Sequence, residues 1–251
     1  MPRTKRKKSS TGIYHVLLSG INRQLLFKDK EDNEKFLDII NDCMKICKFK
    51  LYGYCLMSNH THLLLKEGKE PLGQIFKRIC ARYVCWYNRK YNRIGHLFHD
   101  RYKSETVEDN KYFMTVLRYI HQNPTKAGSG INKSIEKYKW SSYNEYIRKA
   151  DTDKVDFDFA LEIIGKNNYI KFMSEKNEDK CLDYSEKINR FKDEELLKKI
   201  ESKFRIKARM ISNKPRKKME QLLRNILKIE GVSTRQLARV TGVSANIIWG
   251  L

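Results

Sequence analysis

Leu51-Tyr-Gly-Tyr-Cys-Leu-Met57-Ser58-Asn59-His60-Thr61-His62-Leu-Leu-Leu-Lys66 is the stretch on which the fold turns. Two apolar runs, Leu51 to Met57 and His60 to Lys66, flank the dipeptide Ser58-Asn59. Short apolar runs bounded by turn residues read as strands, so the pair predicts a hairpin. Upstream, residues 31–47 carry Phe36, Ile39, Ile40, Cys43 and Cys47 at helical spacing, which places both cysteines on a core face. Before that helix, Ile13-Tyr14-His15-Val16-Leu17-Leu18 reads as a buried strand. Downstream, Leu72, Ile75, Phe76, Ile79, Cys80, Tyr83, Val84 and Tyr87 form the stripe of a long helix over about 71–90. Residues 96–107 predict a further strand, and 109–122 a helix that stops at Asn123-Pro124. The order β-α-β-β-α-β-α is the split βαβ pattern of a ferredoxin-like sheet with one added helix. The expected class is α+β: an antiparallel sheet with two long helices on one face and the other face left for a site.

The chain has 251 residues, enough for one sizeable domain and a small second one. Its formal charge is +22, while 40% of its residues are hydrophobic and 11% aromatic, so it reads as folded rather than as a disordered basic tail. Such a surplus points to nucleic acid, because each phosphate neutralised releases counterions. A generally lysine-rich composition is the plainer account, and charge alone does not choose between them. No apolar run is long enough to cross a membrane, so no membrane partner is expected. Residues 1–12 read as a basic arm, since Pro2-Arg3-Thr4-Lys5-Arg6-Lys7-Lys8 leads into polar residues rather than the apolar run of a signal peptide. The cysteines at 43, 47, 55, 80, 85 and 181 show no CxxC spacing and read as reduced thiols of a cytoplasmic protein.

Gly128-Ser129-Gly130 breaks the pattern after the last helix of the sheet domain. Two short helical patterns, 157–165 and 168–175, lead into a Lys/Glu-rich amphipathic stretch, and 149–215 reads as a helical connector. The tail, 216–251, is all-α and different in kind. After an amphipathic segment over 217–229, Ser233 and Gln236 stand as N-cap and N3 of a capping box. Ala238, Gly242 and Ile248 supply the small residue, turn glycine and apolar anchor of a helix-turn-helix, with Ser244 and Asn246 opening a recognition helix for duplex DNA. An ordinary pair of packed helices is the alternative.

His60-Thr61-His62 is the first feature able to do chemistry. On a strand, residues two apart share a face, so both imidazoles can meet one divalent metal. Strand histidines satisfied by hydrogen bonds fit the motif equally well. On the helix over 109–122, Phe113, Val116, Leu117 and Ile120 form the core face and Tyr119 its flank, with Asn123 one turn further on the same side. A tyrosine is a poor nucleophile at neutral pH unless held against a phosphate whose charge a metal withdraws. A half-buried tyrosine covering a helix flank is the plain reading, and Tyr112, two turns earlier, is the rival candidate.

Three blocks carry a family resemblance: Met57-Ser-Asn-His60-Thr-His62-Leu-Leu-Leu, Gly95-His-Leu-Phe98-His-Asp-Arg101-Tyr102-Lys103-Ser104, and Leu117-Arg-Tyr119-Ile-His-Gln-Asn123-Pro124. With Tyr14-His15-Val16 and Trp140-Ser-Ser-Tyr143, they resemble the REP-associated tyrosine transposases of the single-tyrosine HUH superfamily, over about residues 10–147. The resemblance implies a catalytic domain over 13–148, with a catalytic helix bearing Tyr119 as nucleophile. It implies that His60 and His62 bind Mg²⁺ or Mn²⁺, and that Asn123 takes the place of the third, helix-borne ligand. Two positions depart from the family: Thr61 replaces a bulky apolar residue, and His99 stands where Gln is expected. The implied reaction is cleavage and rejoining of single-stranded DNA at hairpins, through a 5′-phosphotyrosine and without ATP, which fits the absence of a GxxxxGK[ST] loop. Arg78, Arg82, Arg101 and Lys103 are the expected contacts to the DNA backbone, with aromatics stacking on unpaired bases. Two other readings fit the same residues: a non-catalytic DNA-binding regulator, and a metal-dependent nuclease that uses water. Monomer and homodimer both fit, in a bacterial cytoplasm.

Overall fold

A computed structural model describes residues 6–126, 135–148, 154–175, 181–183, 193–229 and 232–250. The expected break at Gly128-Ser129-Gly130 lies outside them. The chain divides into two units, Lys5–Tyr184 and Ser185–Leu251.

The first unit is built on four strands, β1 (Ile13–Ser19), β2 (Lys50–Met57), β3 (His60–Lys66) and β4 (Lys103–Val107), in the order β2-β3-β1-β4. Every neighbouring pair is antiparallel. That is the ferredoxin-like arrangement, and it follows from the hairpin Ser58-Asn59 and the two crossover helices. The first crossover, α1 (Lys30–Cys47), starts on a reciprocal cap in which Asp29 accepts the Asp32 N–H and Asp32 accepts the Asp29 N–H. The second, α2 (Leu72–Lys90), packs against it through Phe36 and Tyr83, whose ring centroids lie 4.9 Å apart. These two helices cover one sheet face, where Val16, Leu18, Leu63 and Leu65 are buried.

The opposite face is closed by α3 (Asn110–Lys126). Its approach depends on Gly53, which sits at a β-bulge of β2: a Cβ there would stand 2.7 Å from Leu117 Cδ1. Beyond α3, the backbone of Trp140 and Ser141 pairs with Leu56 and Cys55 along the free edge of β2. Helices α4 (Tyr143–Arg148), α5 (Asp158–Ile164) and α6 (Lys166–Ser174) follow, with Tyr146, Leu161, Tyr169 and Met173 in the same core.

Two boundaries differ from expectation. The strand predicted over 96–107 is regular only from Lys103, because the Tyr102 ring turns onto Phe76 of α2, with centroids 4.7 Å apart, and pulls the preceding residues out of register. Phe98 and His99 rejoin the sheet, pairing with Gly20 and Ser19. Helix α3 runs past Pro124 instead of stopping there. Pro124 falls in the last turn, where few helical bonds remain to be lost, and Thr125 Oγ1 donates to the Gln122 carbonyl at 2.8 Å there.

The second unit contains α7 (Asp193–Phe204), α8 (Arg216–Leu227), α9 (Thr234–Thr241) and α10 (Ala245–Trp249) around Leu196, Ile200, Ile211, Leu223, Ile226, Leu237 and Ile248. The stretch expected as a connector is thus divided, residues 155–173 joining the first core and 196–211 the second. Gly242 adopts φ +73° between α9 and α10, the left-handed turn that glycine permits. The capping box is half formed. Ser233 accepts the Gln236 N–H, but the Gln236 amide donates to Asp193 at 3.0 Å instead of reaching back.

Candidate active site

His60 and His62 point from β3 towards α3, and α3 presents Tyr119 and Asn123 to them. The Tyr119 ring centroid lies 5.6 Å from that of His62, and Asn123 Nδ2 is 3.3 Å from His62 Nε2. Asn123 also hydrogen-bonds His60, so one amide spans both rings. The rival Tyr112 is placed elsewhere, bonded to Glu105 and Cys181.

A chain of hydrogen bonds fixes the imidazoles. His60 Nδ1 donates to Asn59 Oδ1 at 2.7 Å, leaving its Nε2 with a lone pair. If the Asn123 amide donates to His62 Nε2, then His62 Nδ1 carries a proton and donates to His15 Nε2 at 3.0 Å. His15 Nδ1 then holds the last proton, and it has no hydrogen-bond partner among the described residues. Both Nε2 lone pairs thereby face Asn123. Burial lowers the pKa of His60 to about 4, pushes that of His62 well down, and lowers that of His15 to about 3. The rings are therefore neutral at pH 7. Two neutral imidazoles and an amide that can turn its oxygen inward are a donor set that suits a divalent cation, and His15 is the outer partner that orients such a ligand. Among the described residues there is no cluster of three or more His, Cys, Asp or Glu side chains able to hold a metal.

Tyr119 is buried, and burial followed by a hydrogen bond to Asp183 raises its pKa well above the usual tyrosine value. Its resting form is the neutral phenol. Asp183 also acts electrostatically on His60, and the segment carrying it is held by Leu182 N–H donating to Glu105 Oε2 at 3.1 Å. Sequence reasoning missed both His15 and Asp183. The register Leu17↔His62 puts His15 two residues along the neighbouring strand on the site's face, a signal that strand pairing alone could have supplied. Nothing in the spacing of residue 183 points to the site.

The remaining residues of α3 anchor it. His121 Nε2 meets Ser142 Oγ at 2.8 Å and its Nδ1 meets Tyr169 OH at 3.0 Å. Gln122 Nε2 donates to the Met173 and Glu175 carbonyls, both at 2.7 Å, and Arg118 pairs with Glu175 at 3.1 Å. Of the expected DNA contacts, Arg78 is bonded to Glu70 at 2.8 Å and Arg82 lies 3.9 Å from Asp42, both on the sheet face opposite α3. Arg101 and Lys103 are exposed at the loop that enters β4, and Ser244 and Asn246 are exposed at the start of α10.

Residues 8–123 match the family model of IS200-like transposases. No curated protein matches the chain. Among solved structures it is similar to a REP-associated tyrosine transposase bound to a REP hairpin, at 16% identity and a TM-score of 0.50, covering 62% of this chain and 95% of that one. A putative transposase from Deinococcus radiodurans R1 matches at 19% identity and a TM-score of 0.33, over 48% of this chain and 96% of that one.

Proposed function

We propose that the first unit is a single-tyrosine strand transferase that cuts and rejoins single-stranded DNA beside hairpins. The observation that carries this is the meeting of Tyr119, His60, His62 and Asn123 at one point between β3 and α3. His60, His62 and Asn123 would hold Mg²⁺ or Mn²⁺, whose chemistry there is to withdraw charge from a scissile phosphate. Tyr119 Oη forms the new bond to phosphorus as the phenol loses its proton. The bond to the 3′ oxygen breaks, and that oxygen leaves as a hydroxyl. Reversal needs only a 3′-hydroxyl attacking the phosphotyrosine, so the bond energy is conserved in the covalent intermediate.

The test is a denaturing gel of the protein with a 3′-labelled hairpin oligonucleotide in Mg²⁺ or Mn²⁺. Label is expected to migrate with the protein, and to be lost in Tyr119→Phe and His60→Ala. A released fragment that survives Tyr119→Phe would make the protein a hydrolytic nuclease. Tight binding without cleavage across varied hairpins would make it a regulator.

A second component is favoured by the left-handed Gly242 turn and the exposed Ser244 and Asn246 beyond it. We assign duplex DNA contact to these two side chains, in the manner of a helix-turn-helix. Ser244→Ala combined with Asn246→Ala is expected to weaken duplex binding in fluorescence anisotropy while hairpin cleavage is unchanged.

A further inference from the structure

Between Lys203 and Lys228, in the second unit, the chain carries ten lysines and arginines and a single acid, Glu220. All ten cations are exposed, and among the described residues only Arg216 has a carboxylate partner, Glu220 at 3.0 Å. The densest part is the loop between α7 and α8, where Arg205, Lys207, Arg209 and Lys214 lead into Lys217 and Lys218. Its backbone is fixed. Ala208 and Ile211 are buried in the core shared with Leu237, Val240 and Ile248, while Lys207 and Arg209 beside them face outward. The Met210, Ile211 and Lys214 N–H groups donate to the Lys207, Ala208 and Ile211 carbonyls at 2.9, 3.1 and 3.2 Å. Ser212 Oγ adds a bond to the Arg209 carbonyl at 3.0 Å.

Arg205 gives a second, independent sign. It follows α7 at φ +52°, a left-handed conformation that glycine adopts freely and that costs a residue with a Cβ. An arginine kept there against that cost, exposed and without a carboxylate partner among the described residues, points to an anion outside the chain.

The place of the loop says which anion. Its turn Ala208–Met210 packs on α9, and α9 leads through Gly242 to Ser244 and Asn246. Packed helical elements lie about 8–10 Å apart. A helix seated in a DNA major groove, about 12 Å wide, has a phosphate strand on either side. Cations carried on the neighbouring element therefore meet phosphates, while Ser244 and Asn246 reach base edges.

We propose that the loop from Arg205 to Lys218 is a backbone clamp for duplex DNA, neutralising phosphates without regard to sequence. The choice of duplex DNA rests on the helix-turn-helix reading, and the test separates the two. Binding of full-length Tyr119→Phe protein is measured by fluorescence anisotropy over a range of salt, without divalent metal. The probes are a random-sequence DNA duplex, an RNA duplex of the same sequence and an unstructured oligothymidine.

Lys214→Ala with Lys217→Ala and Lys218→Ala should weaken the DNA duplex roughly tenfold and lower its salt slope by about 0.9 for each phosphate no longer neutralised. Lys214→Arg, Lys217→Arg and Lys218→Arg together should keep the slope. Arg205→Gly should lower it by about 0.9 without lowering the unfolding midpoint, since the left-handed strain is released. Oligothymidine binding should change less than about twofold in each variant. Ser244→Ala with Asn246→Ala removes no charge and should leave the slope as it is. The proposal is overturned if the loop variants leave the slope unchanged. It is also overturned if Lys45→Ala, Lys69→Ala and Lys137→Ala, three exposed sites of the first unit, flatten the slope as much. Tighter binding of duplex RNA than of duplex DNA overturns it too, as does absence of duplex binding by the unaltered protein. If Ser244→Ala with Asn246→Ala leaves duplex affinity intact, the helix-turn-helix reading falls and the loop is judged by its slopes alone.

Discussion

The phenol of Tyr119 has two kinds of neighbour, neutral imidazoles on β3 and the carboxylate of Asp183. A phosphate approaching Tyr119 must come close to that carboxylate, and the two carry the same sign. Asp183→Asn is therefore expected to speed transfer of a 3′-labelled strand to the protein on the order of tenfold in a single turnover. A slower transfer would mean that Asp183 positions the phenol. Thr61, between the two histidines, is fully buried and its hydroxyl has no partner among the described residues. Thr61→Val keeps the shape and removes an unmet hydrogen-bonding group, so it should stabilise the first unit by about 1 kcal/mol in denaturant unfolding. An unchanged or lower midpoint would show that the hydroxyl is satisfied in solution. These residues mark how far the sequence could be read. His60, His62, Tyr119 and Asn123 come together by strand alternation and helical spacing, which are local rules. Asp183 arrives by the path of a distant segment, and local rules cannot see it.

At the scale of elements, α3 is the sensitive part, because it presses on β2 where Gly53 has no side chain. Gly53→Ala would force Leu117 outward, and overpacking of that kind costs roughly 1–3 kcal/mol. The expected result is a lower unfolding midpoint and a lower yield of covalent adduct together; no fall in either would show that α3 can move aside freely. In the second unit, Arg239 of α9 donates two hydrogen bonds to Asp193 of α7, at 2.6 and 2.7 Å, and Gln236 adds a third. Arg239, the largest influence, holds the Asp193 pKa down at about 2 from an ordinary 3.8. A carboxylate depressed on folding stabilises fully above its unfolded pKa, and that contribution disappears as pH falls through the folded one. The difference in unfolding midpoint between wild type and Asp193→Asn should therefore be constant above about pH 5 and shrink between about pH 4 and 2. A gap that does not shrink would place the effect outside this ion pair. The strands and long helices were legible because period and turn chemistry agreed along them. The loop at 96–102 was not, since Tyr102 leaves the sheet for a partner on α2 that only the folded chain supplies.

For the whole molecule, the family segment ends at residue 123, yet the first core continues through α4, α5 and α6. Local pattern offers no reason to attach 155–173 to the sheet domain, because short helices declare which core they join only by packing against it. Those late helices grip α3 through Tyr169, Met173 and Glu175, so the tyrosine is held by the chain that also supplies the histidines. The consequence belongs to genetics. Two defective copies, one Tyr119→Phe and the other His60→Ala, should not rescue each other when expressed together, and activity in a mixed population should fall in proportion to the share of intact chains.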